Sequence, residues 1–443
     1  MTQAYAGDEI YTAVSTQEKS LPVMAKLFLV VLLVLCLIQF SGAWYWGGVD
    51  LTQEDLEGVQ PFGVPFRYGV WLCISIAVFY YFSSYSYKAV GTALMPFLPF
   101  IGMGFISGVQ GFSVVSSVRI EIFWLLMALS GSVIGLLLPA NLIARVMGRY
   151  LTVILIISIV LVVAVPTAGK EVYGGASVWK GAFQQKNYLG ALAMWATVFA
   201  FFFSKAIGRW QSLLLFLVAA VCLVGSDSKG SLAVAVAAIG FYVLLMSMSK
   251  SRLSPFIGST ALIGSVLLLA VGVYFLWVPI TGAFGRDATL TGRTDIWMAY
   301  LGRVVDHWFL GQGPGAFTSV SPVTEDLFFQ LAALGSIRQP HNIFIGVVGD
   351  GGVVGLFLFV SGLFYVAFVL PFQKKTFEAR LCAIGAFLII VGGMVEGRVG
   401  YNMSLDGFFL SLLLAARVRA ERGLRRQQRL SRVGYDQDAL PAT

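Results

Sequence analysis

Charged side chains make up only 12% of these 443 residues, about half the share found in an ordinary soluble domain. That scarcity argues against a pair of soluble domains, which would be the default reading of this length. Histidine occurs twice, as His307 and His341, and the four cysteines (Cys36, Cys73, Cys222 and Cys382) all fall inside apolar runs. Neither residue type shows the spacing of a zinc site. A GxxxxGK[ST] phosphate loop is missing as well, so nucleotide hydrolysis is not expected. Internal repeats are not evident, which weakens a reading as an inverted-repeat transporter.

Hydrophobic residues, by contrast, reach 58%. They gather in runs of about 17 to 20 residues, long enough to cross a bilayer core of roughly 30 Å as helices. The expected fold is therefore all-α, a polytopic integral membrane protein of about twelve transmembrane helices. The runs fall at 27–46, 68–87, 89–107, 120–138, 151–166, 188–204, 211–225, 231–249, 257–280, 353–370, 381–395 and 402–417. The first is too long for a signal-peptide core and no small-x-small cleavage pattern follows it, so it reads as a retained helix.

Basic residues orient the bundle. With the N-terminus inside, the inner segments hold 19 of the 30 lysines and arginines, and the outer ones hold 15 of the 22 acidic residues. Both termini are thus expected on the cytoplasmic side. Much of the net charge of +8 sits in the tail, at Arg417, Arg419, Arg422, Arg425, Arg426, Arg429 and Arg432. Next to a hydrophobic segment, that cluster reads as an anchor to anionic headgroups, or simply as a topology determinant, rather than as a nucleic-acid site. Membrane lipids are expected partners and nucleic acid is not. The organisation that follows is an inner N-terminal segment over 1–26, nine helices over 27–280, a large outer loop over 281–341, three helices over 342–417 and a basic inner tail over 418–443. The outer loop is too long to be a plain connection. Trp297, Tyr300, Trp308 and Phe309 are spaced for an amphipathic helix there, which Gly311, Gly313, Pro314 and Gly315 then break. We expect a folded subdomain lying on the membrane face.

Cations on the outer side run against the positive-inside bias and call for a reason. They are Lys180 and Lys186 in WKGAFQQKNYLG, Lys229 in GSDSKGS, Arg293 in TGRTDIW and Arg338 in RQPHNIFI. A phosphate-bearing lipid would supply that reason, because lysine and arginine form charge-assisted hydrogen bonds with phosphate oxygens. Each cation taken singly also fits a snorkelling or salt-bridged loop residue. His341, between Pro340 and Asn342, suits proton removal from a hydroxyl, since imidazole titrates near neutrality; a plain helix-start residue is the alternative. No Asp-x-Asp pair lies on the outer side, and Asp227, Asp295, Asp306, Asp350 and Glu396 are scattered as charge partners or caps. No metal or cofactor is expected.

The segment Lys180–Leu370 resembles the O-antigen ligase/polymerase family. The residues that carry the likeness are SDSKGS at 226–231, GRTDIW at 292–297, WFLGQGPGAF at 308–317, PHNIF at 340–344 and the step from Asp350 through glycines to Gly355. The resemblance implies a metal-independent, inverting glycosyltransferase of the bacterial inner membrane. It would act at the periplasmic face on an undecaprenyl-diphosphate-linked glycan. It implies His341 as general base and Arg293 as a diphosphate ligand. Lys229 stands where the family usually has arginine, which keeps the charge and loses the planar fork. QQKNYLG resembles a lysine-asparagine motif of the exopolysaccharide-polymerase branch, with Lys186 a further diphosphate ligand; Arg338 completes the cationic set. The acceptor would be another lipid-linked glycan in a polymerase, or lipid A-core or a protein in a ligase. Polysaccharide export or chain-length machinery is a further expected partner. A transporter or flippase is the competing class, and Asp406 inside the last apolar run is its best support.

Overall fold

The computed structural model describes residues 21–43, 63–85, 87–173, 175–249, 254–275, 293–331, 339–394, 400 and 404–438. They form helices α1 (Val23–Ser41), α2 (Gly63–Ser84), α3 (Lys88–Leu94), α4 (Leu98–Val109), α5 (Val114–Leu137), α6 (Ala140–Ala164), α7 (Lys186–Phe202) and α8 (Arg209–Gly225). The series continues with α9 (Lys229–Ser249), α10 (Pro255–Phe275), α11 (Arg293–Gly302), α12 (Pro322–Gln330), α13 (Ile343–Phe364), α14 (Phe377–Gly393) and α15 (Leu405–Asp438). An antiparallel hairpin, β1 (Lys170–Tyr173) with β2 (Ala176–Trp179), pairs Lys170 with Trp179 and Tyr173 with Ala176. Helix dominates because a segment in hydrocarbon must satisfy every backbone N–H and C=O within itself.

The chain is a multi-pass membrane protein. Among the described residues, seven helices are long and apolar enough to cross a membrane, and the bent pair α3–α4 would make an eighth. The expected count of about twelve is not established by length: α7, α8 and α14 have 17 residues each. Four expected spans need correction. The run at 151–166 starts eleven residues earlier, at Ala140. The run at 89–107 is two helices meeting at 84°, since Pro96 at the break cannot donate a backbone hydrogen bond. The run at 353–370 starts ten residues earlier, at Ile343, and passes through a kink where Gly352 has φ 65°. The last run does not stop at 417 but continues as one helix to Asp438.

Among the described residues, the most extensive helix contact joins α5 to α15. Gly131 and Gly135, four residues apart on α5, face Phe408, Ser411, Leu412 and Ala415 of α15. A Cβ on Gly131 would meet the Phe408 carbonyl at 2.9 Å, and one on Gly135 the Leu412 carbonyl at 2.5 Å. Paired small residues of this kind let two backbones approach where no water drives association. Asp406, in the first turn of α15, accepts a short hydrogen bond from Trp195 Nε1 of α7. Its place in the bundle is therefore a cross-helix tie.

Replacing Gly135 with leucine should force α5 and α15 apart and cost at least about 1–3 kcal/mol by overpacking. Thermal unfolding in detergent checks this: a clearly lowered melting temperature is expected, and an unchanged one would contradict the packing.

Candidate functional site

One end of the bundle collects the N-termini of α7, α9, α11 and α13, and the described site candidates sit on them. Lys186 is the first residue of α7, Lys229 of α9 and Arg293 of α11, while His341 lies two residues before α13 begins. The N-terminal end of a helix carries roughly half a positive charge and unused N–H groups, so it favours anions. Arg338 lies outside the described residues.

Local chemistry fixes each of these ends. At α13, Asn342 is the N-cap, its Oδ1 accepting from Phe344 N at 2.9 Å and Ile345 N at 3.3 Å. Asparagine is among the best residues at that position. At α7, the Lys186 N–H donates to Glu171 Oε1 of β1 at 3.1 Å. The Lys186 side chain, 7% exposed, pairs with Asp227 at 4.0 Å. Asp227 belongs to the turn between α8 and α9, so the pair links Lys186 to the segment that ends on Lys229. The same turn packs against α7, where a Cβ on Gly190 would meet Ser228 Oγ at 2.6 Å. Among the described residues, two other than glycine hold a positive φ: Asp227 at 46° and His341 at 47°. Left-handed backbone costs a residue with a side chain about 1–2 kcal/mol, and such strain concentrates at functional sites.

α11 packs against the turn that holds His341. Trp297 Nε1 donates to the Pro340 carbonyl at 2.9 Å, and Arg293 is one helical turn before Trp297, on the same face. The Lys186–Lys229 group and the Arg293–His341 group share a neighbour in the end of α14. A Cβ on Gly393 would meet Ile343 Cβ at 3.1 Å, and one on Gly392 would meet Val234 of α9 at 3.8 Å.

The residue that sequence reasoning undervalued is Asp350. It is fully buried, and its carboxylate accepts from Phe317 N at 2.7 Å, Thr318 Oγ1 at 2.7 Å and Gly315 N at 3.1 Å. Its carbonyl accepts from Gly313 N at 2.9 Å and Ser107 Oγ at 2.7 Å. The glycine-rich segment after α11 is thereby pinned to the kink in α13. Only glycine permits this approach, because a Cβ on Gly311 would come within 2.5 Å of the Asp350 carbonyl oxygen. Tyr300, buried against Phe317, has its phenol pushed up by burial and by the Asp350 carboxylate. It stays protonated at neutral pH and is no rival to His341 as a base.

Asp350→Ala would remove the acceptor of two buried backbone donors, Gly315 N and Phe317 N, at about 1–3 kcal/mol each. The expected result is a large fall in melting temperature and faster proteolysis within 303–331, with Asp350→Asn in between. Wild-type melting of Asp350→Ala would show that the pin is not needed.

Comparison with known proteins agrees with the motifs. Residues 214–360 match the O-antigen ligase family. Over 235 residues the chain is 29% identical to the exopolysaccharide production protein ExoQ of Rhizobium meliloti (strain 1021), a match covering 49% of this chain and 53% of that relative. The chain thus spans about half the length of the curated relative it matches. The matched family segment contains Lys229, Arg293, His341 and Asp350. The resemblance to the O-antigen ligase/polymerase family is borne out.

Proposed function

Taking residues 214–360 as an O-antigen ligase family domain, we propose that this protein is a membrane glycosyltransferase that polymerises a glycan carried on undecaprenyl diphosphate. The observation that supports the reading is that Lys186, Lys229 and Arg293 are each the first residue of a helix, and that His341, two residues before a fourth helix, holds a positive φ. In this reading Arg293, Lys229, Lys186 and Arg338 hold the diphosphate, the helix N-termini adding to their field. His341 takes the proton from the acceptor hydroxyl. The acceptor oxygen then bonds to the anomeric carbon from the face opposite the leaving group. The carbon–oxygen bond to the diphosphate breaks with its electron pair, and the configuration inverts. Cations already in place where charge develops lower the barrier by several kcal/mol, and the base contributes about 10²- to 10⁴-fold. No metal or cofactor takes part.

The lysine-asparagine motif and the likeness to an exopolysaccharide production protein favour a polymerase, with a second lipid-linked glycan as acceptor. The family description favours a ligase, with lipid A-core or a protein as acceptor. In either case the site faces the periplasm, both termini lie in the cytoplasm, and the protein sits in the inner membrane beside export or chain-length machinery. A transporter or flippase is the competing class, for which Asp406 and Gly407 in the last apolar run speak; Asp406 here accepts a hydrogen bond from Trp195.

Donor affinity and glycan product, measured at matched membrane levels, separate the roles. His341→Ala should abolish product and bind donor nearly as wild type, because a base acts mainly in the transition state. Arg293→Ala and Lys229→Ala should weaken both, whereas Lys229→Arg should be tolerated. Full product from His341→Ala would remove it from the mechanism. Unchanged affinity and turnover in both alanine variants of the cations would overturn the diphosphate site.

A separate assay addresses the metal. Product formation by the purified protein should persist in excess chelator. Loss of product that only added magnesium or manganese restores would refute the metal-free mechanism.

A further inference from the structure

After a first turn that exposes Thr294 and Asp295, α11 is apolar on both faces. Its inner face buries Ile296 and Tyr300 against Phe317 and Leu327. Its other face exposes Met298 and Leu301, and the 3₁₀ turn that follows exposes Val305, the first and last at 66% and 69%. Trp308 and Phe309 come next and are exposed as well. A helix whose outer face met water would carry polar residues at these positions.

The apolar face does not end there. The Trp308 carbonyl accepts from Val353 N at 2.8 Å and the Phe309 carbonyl from Val354 N at 3.4 Å. From Val353 an exposed stripe runs along α13 through Phe357, Val360 and Phe364. These are spaced for one helix face, and α13 is a membrane-spanning helix. The exposed face of residues 298–309 is thus the upper continuation of a lipid-facing surface.

We propose that residues 298–309 lie in the plane of the membrane surface, with Met298, Leu301, Val305, Trp308 and Phe309 immersed in the hydrocarbon edge of the leaflet. The occupant of this face is lipid. Aromatic residues at the lower end of the segment suit the boundary between headgroup and chain. Asp306 and His307, exposed beside Val305, remain in the headgroup layer. Arg293, at the start of the same helix, then stands at the level of lipid phosphates. The proposal rests on the membrane fold and not on the reaction, so it stands or falls apart from the glycosyltransferase reading.

Spin labels at Met298→Cys, Val305→Cys and Phe309→Cys, with Gln330→Cys as the water-facing control, test it in lipid nanodiscs. A Cys73→Ser background suffices because the other three cysteines are buried. Collisions with oxygen relative to a water-soluble nickel chelate should be several-fold higher at the three test positions than at Gln330. A ratio equal to the control would mean that the face meets water. Low collision rates with both reagents would mean that a second protein copy covers it. Either result overturns the proposal. Quenching by brominated lipids checks the same point without cysteines: Trp308→Phe should remove a quenchable fraction of the fluorescence, and no change in quenching would count against immersion.

Discussion

The buried carboxylate of Asp350 joins the membrane bundle to the segment that lies outside it. Three donors from residues 315–318 converge on its two oxygens, and its carbonyl takes two more from Gly313 and Ser107. A carboxylate in such a place is tolerable only because it is fully hydrogen-bonded. In return it fixes where the glycine-rich segment meets α13. That fixes the outer packing of α11, which sits on Phe317 through Tyr300. Arg293 and the Trp297 contact to Pro340 depend on α11 in turn. The arrangement around His341 is therefore built from the middle of a membrane helix upward.

The site itself uses a second constraint. Each helix starts with N–H groups that the helix cannot satisfy, and here four helix starts share one end of the bundle with three lysine or arginine side chains. Asp227 and Glu171 stand among these groups as anionic neighbours, Asp227 paired with Lys186 and Glu171 accepting from its backbone N–H. In the proposed reading, a diphosphate is the anion that these helix starts receive. The two left-handed residues, Asp227 and His341, lie in the two turns that bring the groups together.

Much of this was legible in the sequence. Hydropathy located the helices in order, because runs of leucine, valine, isoleucine and phenylalanine have few uses other than crossing lipid. The outer cations stood out because they broke the charge bias, and Arg293, Lys229 and Lys186 fall at helix starts where an anion would bind. The errors came where glycine and proline carry more than one meaning. Pro96 broke a run that hydropathy joined, and the glycines at 351 and 352 made a kink that hydropathy read as a boundary. Asp350 looked like one scattered acid among several, since nothing local tells which donors 33 to 35 residues away will reach it. The small hairpin at 170–179 gave no signal either; its Trp179 packs so closely on Gly225 that a Cβ there would run into the indole ring.

The central claim is that cations at helix N-termini hold a lipid diphosphate within reach of His341. A structure determined with an undecaprenyl-diphosphate-linked sugar bound tests it most directly. The account predicts diphosphate oxygens within hydrogen-bond distance of Arg293 and Lys229, and the His341 imidazole on the far side of the anomeric carbon from the leaving oxygen. A donor whose diphosphate lies away from these helix starts, with His341 facing none of the sugar, would contradict it.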